Sequence, residues 1–181
     1  MVAADGALRS ETISASGTGN QVGTRVPAKR HPSLIPLSHD HHHGLVLAFR
    51  LREGLPRNRK PSDSSQEQAE DAIRFFHDNL VAHFRAEEEA LFPAIRTCVP
   101  RAATLLDTLT AEHSEMRAQV ERLAQASPDA STLQTKLKAL GDLLERHIRR
   151  EERELFPLYE ANIPEAEATG IGAEIARLTK R

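Results

Sequence analysis

Two segments of the chain carry one eleven-residue pattern, His83-Phe-Arg-Ala-Glu87-Glu-Glu-Ala-Leu-Phe-Pro93 and His147-Ile-Arg-Arg-Glu151-Glu-Arg-Glu-Leu-Phe-Pro157, with seven positions identical and no gap. In each copy the His and the first Glu stand four apart, so on a helix turning about 100° per residue they lie one turn apart on the same face. Apolar neighbours at steps of three and four make that face the buried one. A carboxylate buried there is costly unless it is paired or bound to metal. Imidazole nitrogen beside carboxylate oxygen suits iron, manganese or zinc, and two such carboxylates in one helical core can bridge two cations.

Four apolar stripes must position these groups. The first runs His42, Leu45, Phe49, with Ser38 as N-cap and an end near Gly54 and Pro56. The second runs Ala69, Ile73, Phe76, Leu80, His83, Glu87, Leu91, opened by a capping box at Ser64 and Glu67 and stopped by Pro93. The third, Leu106, Leu109, His113, Met116, Val120, Leu123, is entered through Pro100 and left at Ser127-Pro128. The fourth, Leu133, Leu137, Leu140, Leu144, His147, Glu151, Leu155, opens at a Ser131/Gln134 capping box and stops at Pro157. A weaker pattern, Ile171, Ile175, Leu178, reads as a short C-terminal helix packed outside the rest. The fold expected is all-α, an up-down-up-down four-helix bundle over 33–181 with its core at about 33–160, behind a disordered Gly/Ser/Thr-rich tail over 1–32.

Helices one and three add a histidine each, so four imidazoles and two carboxylates could converge: His42, His83, Glu87, His113, His147 and Glu151. Helix one offers His39, His41, His42 and His43; His42 is chosen because it continues into Leu45 and Phe49, with His41 in reserve, and either could lean on Asp40 through its second ring nitrogen. Taken singly, a His on an apolar stripe is more often a hydrogen-bonded core residue; the set of six is what argues for metal. Glu88, Glu89, Glu152 and Glu154 read as a solvated face, with Glu152 a reserve ligand, while His31 and His77 read as exposed and Cys98 as structural.

His on helix one, His-x-x-x-Glu on helix two, His on helix three and His-x-x-x-Glu on helix four resemble the hemerythrin/HHE cation-binding family, over roughly Ser33 to Glu160. The Leu-Ser-x-Asp-His-His stretch and the paired Glu-Glu-x-x-Leu-Phe-Pro segments are most similar to its bacterial members. The resemblance implies a di-iron centre, oxo- or hydroxo-bridged, with Glu87 and Glu151 bridging and His42, His83, His113 and His147 terminal. The chain departs from the oxygen-carrying members four residues after His113, where Arg117 stands in place of a second imidazole. Simple reversible oxygen carriage is thereby disfavoured, and redox or iron sensing, or reaction with O2, NO or peroxide, comes forward.

Composition narrows the rest. Of 181 residues, 28% are charged and the formal net charge is −2, which gives no electrostatic reason to expect nucleic acid or an anionic membrane as partner. One cysteine excludes an internal disulfide or a Cys-rich zinc site and fits a reducing compartment, so the cytoplasm is the expected location. No general acid or nucleophile stands apart from the metal-ligand candidates, which favours a protein that binds or senses a small ligand over a di-iron enzyme or an iron-donating repair factor. The Glu-x-x-His motif of ferritin-like proteins is absent.

Overall fold

The computed structural model describes residues 29–53, 65–125 and 130–180. Among them every regular element is helical. A 3-10 turn at Pro32–Leu34 leads into helix α1, Ile35–Glu53. Helix α2 runs without a break over 65–98, helix α3 spans Ala103–Ala124 after a 3-10 turn at Pro100–Ala102, helix α4 runs over 130–162, and helix α5 is Glu165–Leu178. The expected tail over 1–28, the loop from Gly54 and the Ser64 cap lie outside the described residues. No helix among the described residues is long and apolar enough to cross a membrane.

Two apolar clusters divide the core. One gathers Leu34 of the first 3-10 turn, Leu37 at the start of α1, Leu91, Phe92 and Ile95 late in α2, Leu106 and Leu109 early in α3, Phe156 and Tyr159 late in α4, and Ile175 of α5. The other gathers Ala48 and Leu51, Phe76 and Phe84, Met116 and Val120, and Leu137 and Leu144, from the opposite ends of the same four helices. The polar candidates fall between the clusters. Helix α1 packs along α4, which also meets α2 and α3, while α5 lies on the first 3-10 turn and on residues 81–91 of α2. Glycines set the α1–α4 approach: a Cβ at Gly44 would stand 2.8 Å from Ile148 Cδ1, and one at Gly141 2.8 Å from the Ala48 carbonyl oxygen.

Neither Pro93 nor Pro157 stops its helix. Residues Glu87–Leu91 and Glu151–Leu155 widen into π-helix, the Phe92 N–H reaching back to the Glu87 carbonyl and the Phe156 N–H to that of Glu151. A π turn holds one extra residue and resets the hydrogen-bond ladder. Each proline therefore sits second in a renewed α segment, where its missing N–H is tolerated as at a helix start. A third π turn, Phe76–Leu80, lies earlier in α2.

The capping signals on α1 and α4 are also displaced. Ser38 is inside α1 and donates its hydroxyl hydrogen to Glu152 at 2.7 Å, and Ser131 is already the second residue of α4. The stripe on α1 is shifted by one residue: Leu37, His41, Gly44, Ala48 and Leu51 are buried, and His42 and Phe49 are exposed. Residues 29–32, assigned to the tail by composition, are held in place. Arg30 pairs with Glu152 and Glu160, and His31 bonds Ser33 at 2.7 Å and Glu165 at 3.1 Å. The C-terminal pattern forms a full helix, α5.

Candidate metal centre

Six buried side chains meet between the two apolar clusters: His41 from α1, His83 and Glu87 from α2, His113 from α3, and His147 and Glu151 from α4, each 2% exposed or less. Every imidazole turns Nε2 inward. His83 Nε2 is 3.2 Å from Glu87 Oε1, His113 Nε2 is 3.3 Å from Glu87 Oε2, and His41 and His147 Nε2 lie 3.1 and 3.4 Å from Glu151 Oε2. These atoms fall into two overlapping groups, His41/His83/Glu87/Glu151 and Glu87/His113/His147/Glu151, each with all its donor atoms within 4.8 Å of one another. Both carboxylates belong to both groups, so each offers an oxygen to either set of donors.

Three of the four rings are hydrogen-bonded from behind by an outer carboxylate on Nδ1, and the fourth has one nearby. His41 bonds Glu152 at 2.7 Å, His113 bonds Glu88 at 2.7 Å, His147 bonds Glu112 at 3.1 Å, and His83 faces Asp40 at 3.4 Å. A carboxylate only accepts, so Nδ1 carries the hydrogen and Nε2 presents a lone pair to the centre. The outer carboxylates are themselves anchored: Glu88 takes two bonds from Arg117 at 3.0 and 3.1 Å, Glu112 pairs with Arg150, and Glu152 with Arg30. Aromatic faces exclude water. Phe84 stacks on His113 at 3.8 Å with Phe92 on the same ring at 5.7 Å, and Phe156 stacks on His41 at 5.2 Å. Phe92 and Phe156 are the Phe of the two Leu-Phe-Pro segments, delivered by the π turns.

The halves of the centre correspond residue by residue. Asp40-His41 matches Glu112-His113, and His83, Glu87 and Glu88 match His147, Glu151 and Glu152. The outer contacts cross between halves, Glu88 reaching His113 and Glu152 reaching His41.

Without a cation this arrangement is unsatisfied. Both oxygens of Glu87 and of Glu151, and His41 Nε2, are buried with no hydrogen-bond partner, and the Nε2 atoms of His113 and His147 face each other at 3.0 Å. Two inward lone pairs so close repel unless a positive charge lies between them. Protons alone show the same demand. Burial pulls the His83 imidazole down, but Glu87 and Asp40 override it and push its pKa up to about 10. Burial pushes Glu87 up, yet His83 and His113 hold it well below the usual carboxylate range. Glu112 and Glu152, opposed by burial but bonded to His147 and His41, are both lowered to about 2. Donors 3.0–3.4 Å apart are spaced like neighbouring ligands around a cation bonded at about 2.1 Å, so the residues fit a pair of metal ions.

The structure brings together His83, Glu87, His113, His147 and Glu151 and places the reserve His41, not His42, beside them. His42 faces outward because only position 41 keeps the spacing of the buried face of α1. Treating Gly44 and Ala48 as core positions would have revealed this. Glu88 and Glu152 are not merely a solvated face. Both follow a central Glu in the repeated pattern, a signal that was available. Glu112 precedes His113 as Asp40 precedes His41, also visible in hindsight. Glu152 stands behind His41 rather than among the inner donors. His77 is exposed, as the pattern predicts. Cys98 is half-buried, with Sγ 3.6 Å from Glu167 Oε2.

Comparison with known proteins gives a family and little beyond it. A protein described as a DNA nickase from Nostoc sp. is 33% identical over 87 residues, which cover 48% of this chain but only 24% of that protein. No solved structure matches. The hemerythrin HHE cation binding domain matches residues 33–159, the span that carries all six inner donors and their four outer carboxylates. By that match over most of its length, the chain belongs to the hemerythrin HHE cation-binding family.

Proposed function

We propose that this chain binds two iron ions between Glu87 and Glu151 and uses them to bind or sense a small ligand, O2 or NO, or the iron and redox state of its surroundings. The observation that carries the reading is the orphaned set of four carboxylate oxygens shared by two pairs of inward imidazoles. His41 and His83 would hold one ion, His113 and His147 the other. Each ion would have two imidazoles and a share of two carboxylates, fewer protein ligands than six-coordinate iron takes, so positions stay open for a ligand. A closed structural zinc site fits less well, since it is four-coordinate and commonly contains Cys. Bound iron supplies one-electron chemistry toward diatomic ligands and peroxide. The chain's own residues fix the His41, His113 and His147 rings through Nδ1, supply two negative charges, and keep bulk water out with Phe84, Phe92 and Phe156. Enclosure by these rings favours a ligand of a few atoms over an organic substrate.

The reading also takes the four helices as up-down-up-down, supported by the alternation of their ends between the two apolar clusters, and places the protein in the cytoplasm on its single cysteine.

The test is iron content and the ultraviolet-visible spectrum after anaerobic loading with ferrous iron and exposure to air. About two irons per chain with near-ultraviolet oxo-bridge absorption, both lost in Glu151→Ala, is the expected result. No bound iron, or iron indifferent to that substitution, overturns it. Turnover of hydrogen peroxide by the loaded protein would move the reading to an enzyme. The nickase similarity supports a second reading, action on DNA, and conversion of supercoiled plasmid to open circles by the loaded chain, lost in Glu151→Ala, would favour it.

A further inference from the structure

Helix α1 buries one face and exposes three large apolar side chains along the opposite one. Ile35, His39, His42, Val46, Phe49 and Glu53 are all exposed. They recur at alternating steps of four and three, the period of a seam between two helices. Of the large hydrophobics exposed among the described residues, Ile35, Val46 and Phe49 lie on this one line, with Phe49 64% exposed. Scattered apolar side chains on a surface are ordinary, but a line of them along a helix whose other face is already in the core marks a helix covered on both sides.

We infer that a second copy of this chain covers this face, α1 against α1, antiparallel about a two-fold axis that passes between His42 and Val46, at the height of Gly44 but on the opposite face. The seam is self-complementary in that direction. Residue 35 then meets 53, residue 39 meets 49 and residue 42 meets 46, so each apolar side chain faces an imidazole or the stem of Glu53. A parallel pair would set Glu53 against Glu53 and His39 against His39. Antiparallel packing also brings Glu53 of one copy to the start of the other's α1, whose first turn has no acidic residue of its own to meet the helix dipole. His43, Arg50, Asp71, Arg74 and Asp78, which line the neighbouring α1–α2 groove, make a rim of mixed charge. A seam on the order of 28 Å long is small for a stable dimer, so monomer and dimer exchange at micromolar concentration.

Sedimentation of the metal-loaded full chain from about 1 to about 200 μM tests this. The mass is expected to rise toward two chains in the wild type and to stay at one in Phe49→Glu, with helical circular dichroism and iron content unchanged because the side chain is outside the core. Geometry is tested in a Cys98→Ser background. A His42→Cys chain mixed with a Val46→Cys chain should form disulfide dimers containing one of each. Ile35→Cys should not link to itself, since antiparallel pairing sets its two copies roughly 27 Å apart along the axis. A wild type that stays monomeric throughout overturns the inference and leaves the face to a different protein. A dimer indifferent to Phe49→Glu, or an Ile35→Cys chain that links to itself, overturns it equally.

Discussion

His41 and His42 are neighbours in sequence and opposites in environment: one imidazole is buried against Glu151, the other is in solvent. On the proposed di-iron reading, His41→Ala is expected to drop iron from about two to one or fewer per chain, and His42→Ala to leave it unchanged, as metal analysis of the purified variants would show. Behind the inner donors, Glu152→Ala frees the His41 ring and should weaken metal binding by about 10–100-fold, read by competition with a chelator. The same contacts set the pH range of the metal-free protein. Glu112 and Glu152, lowered to about 2 when folded, stabilise it above the ordinary carboxylate range, and that contribution is lost as pH falls from about 4.5 toward 2. His83, raised to about 10, contributes fully below about 6.5 and progressively less as pH rises toward 10. Melting temperature of the metal-free chain should thus decline on both sides, and a flat alkaline limb would contradict the His83 environment. Five of the six inner donors were legible because His-x-x-x-Glu repeats and His113 sits on an unbroken Leu/Met/Val stripe. His41 was obscured because α1 uses the small residues Gly44 and Ala48 as core positions, which mark a stripe less strongly than Leu45 and Phe49 on the neighbouring line.

At the scale of the helix, the α1–α4 contact depends on two glycines that differ in what they face. A methyl at Gly141 meets the Ala48 carbonyl oxygen at 2.8 Å, and backbone cannot step aside; at Gly44 it meets the end of the Ile148 side chain, which can rotate. Gly141→Ala should lower stability by about 1–3 kcal/mol in urea unfolding, whereas Gly44→Ala should be near neutral as the gain in helix propensity offsets the repacking. Equal effects would mean that the two helices are not so closely apposed. Helix existence and the buried stripes of α2, α3 and α4 were readable from periodicity. The π turns were not. A proline after Leu-Phe reads as a stop, and nothing in residue type shows that the ladder has been reset one residue earlier so that the helix can pass through.

Across the whole molecule the buried His/Glu cluster ties four helices together at a level where the core of the described residues is charged rather than apolar. In the metal-free chain Glu87 and Glu151 lie among imidazoles with no hydrogen-bond partner for their oxygens. Loading should raise the melting temperature, with roughly 4 kcal/mol gained when free metal exceeds its dissociation constant about a thousandfold, and a chelator should reverse the shift. A melting point indifferent to metal would place the binding elsewhere.

The crossing of the outer contacts, Glu88 to His113 and Glu152 to His41, has a further consequence. Each helical hairpin, α1 with α2 or α3 with α4, possesses every kind of donor the centre uses but cannot orient its own first imidazole; it needs the carboxylate of another hairpin. Two identical hairpins meeting head to tail would meet that need mutually. The chain carries both like halves in one polypeptide, and the joint between them does the work of concentration, holding the second half near the first at a local level on the order of millimolar, where separate halves would have to find each other by diffusion.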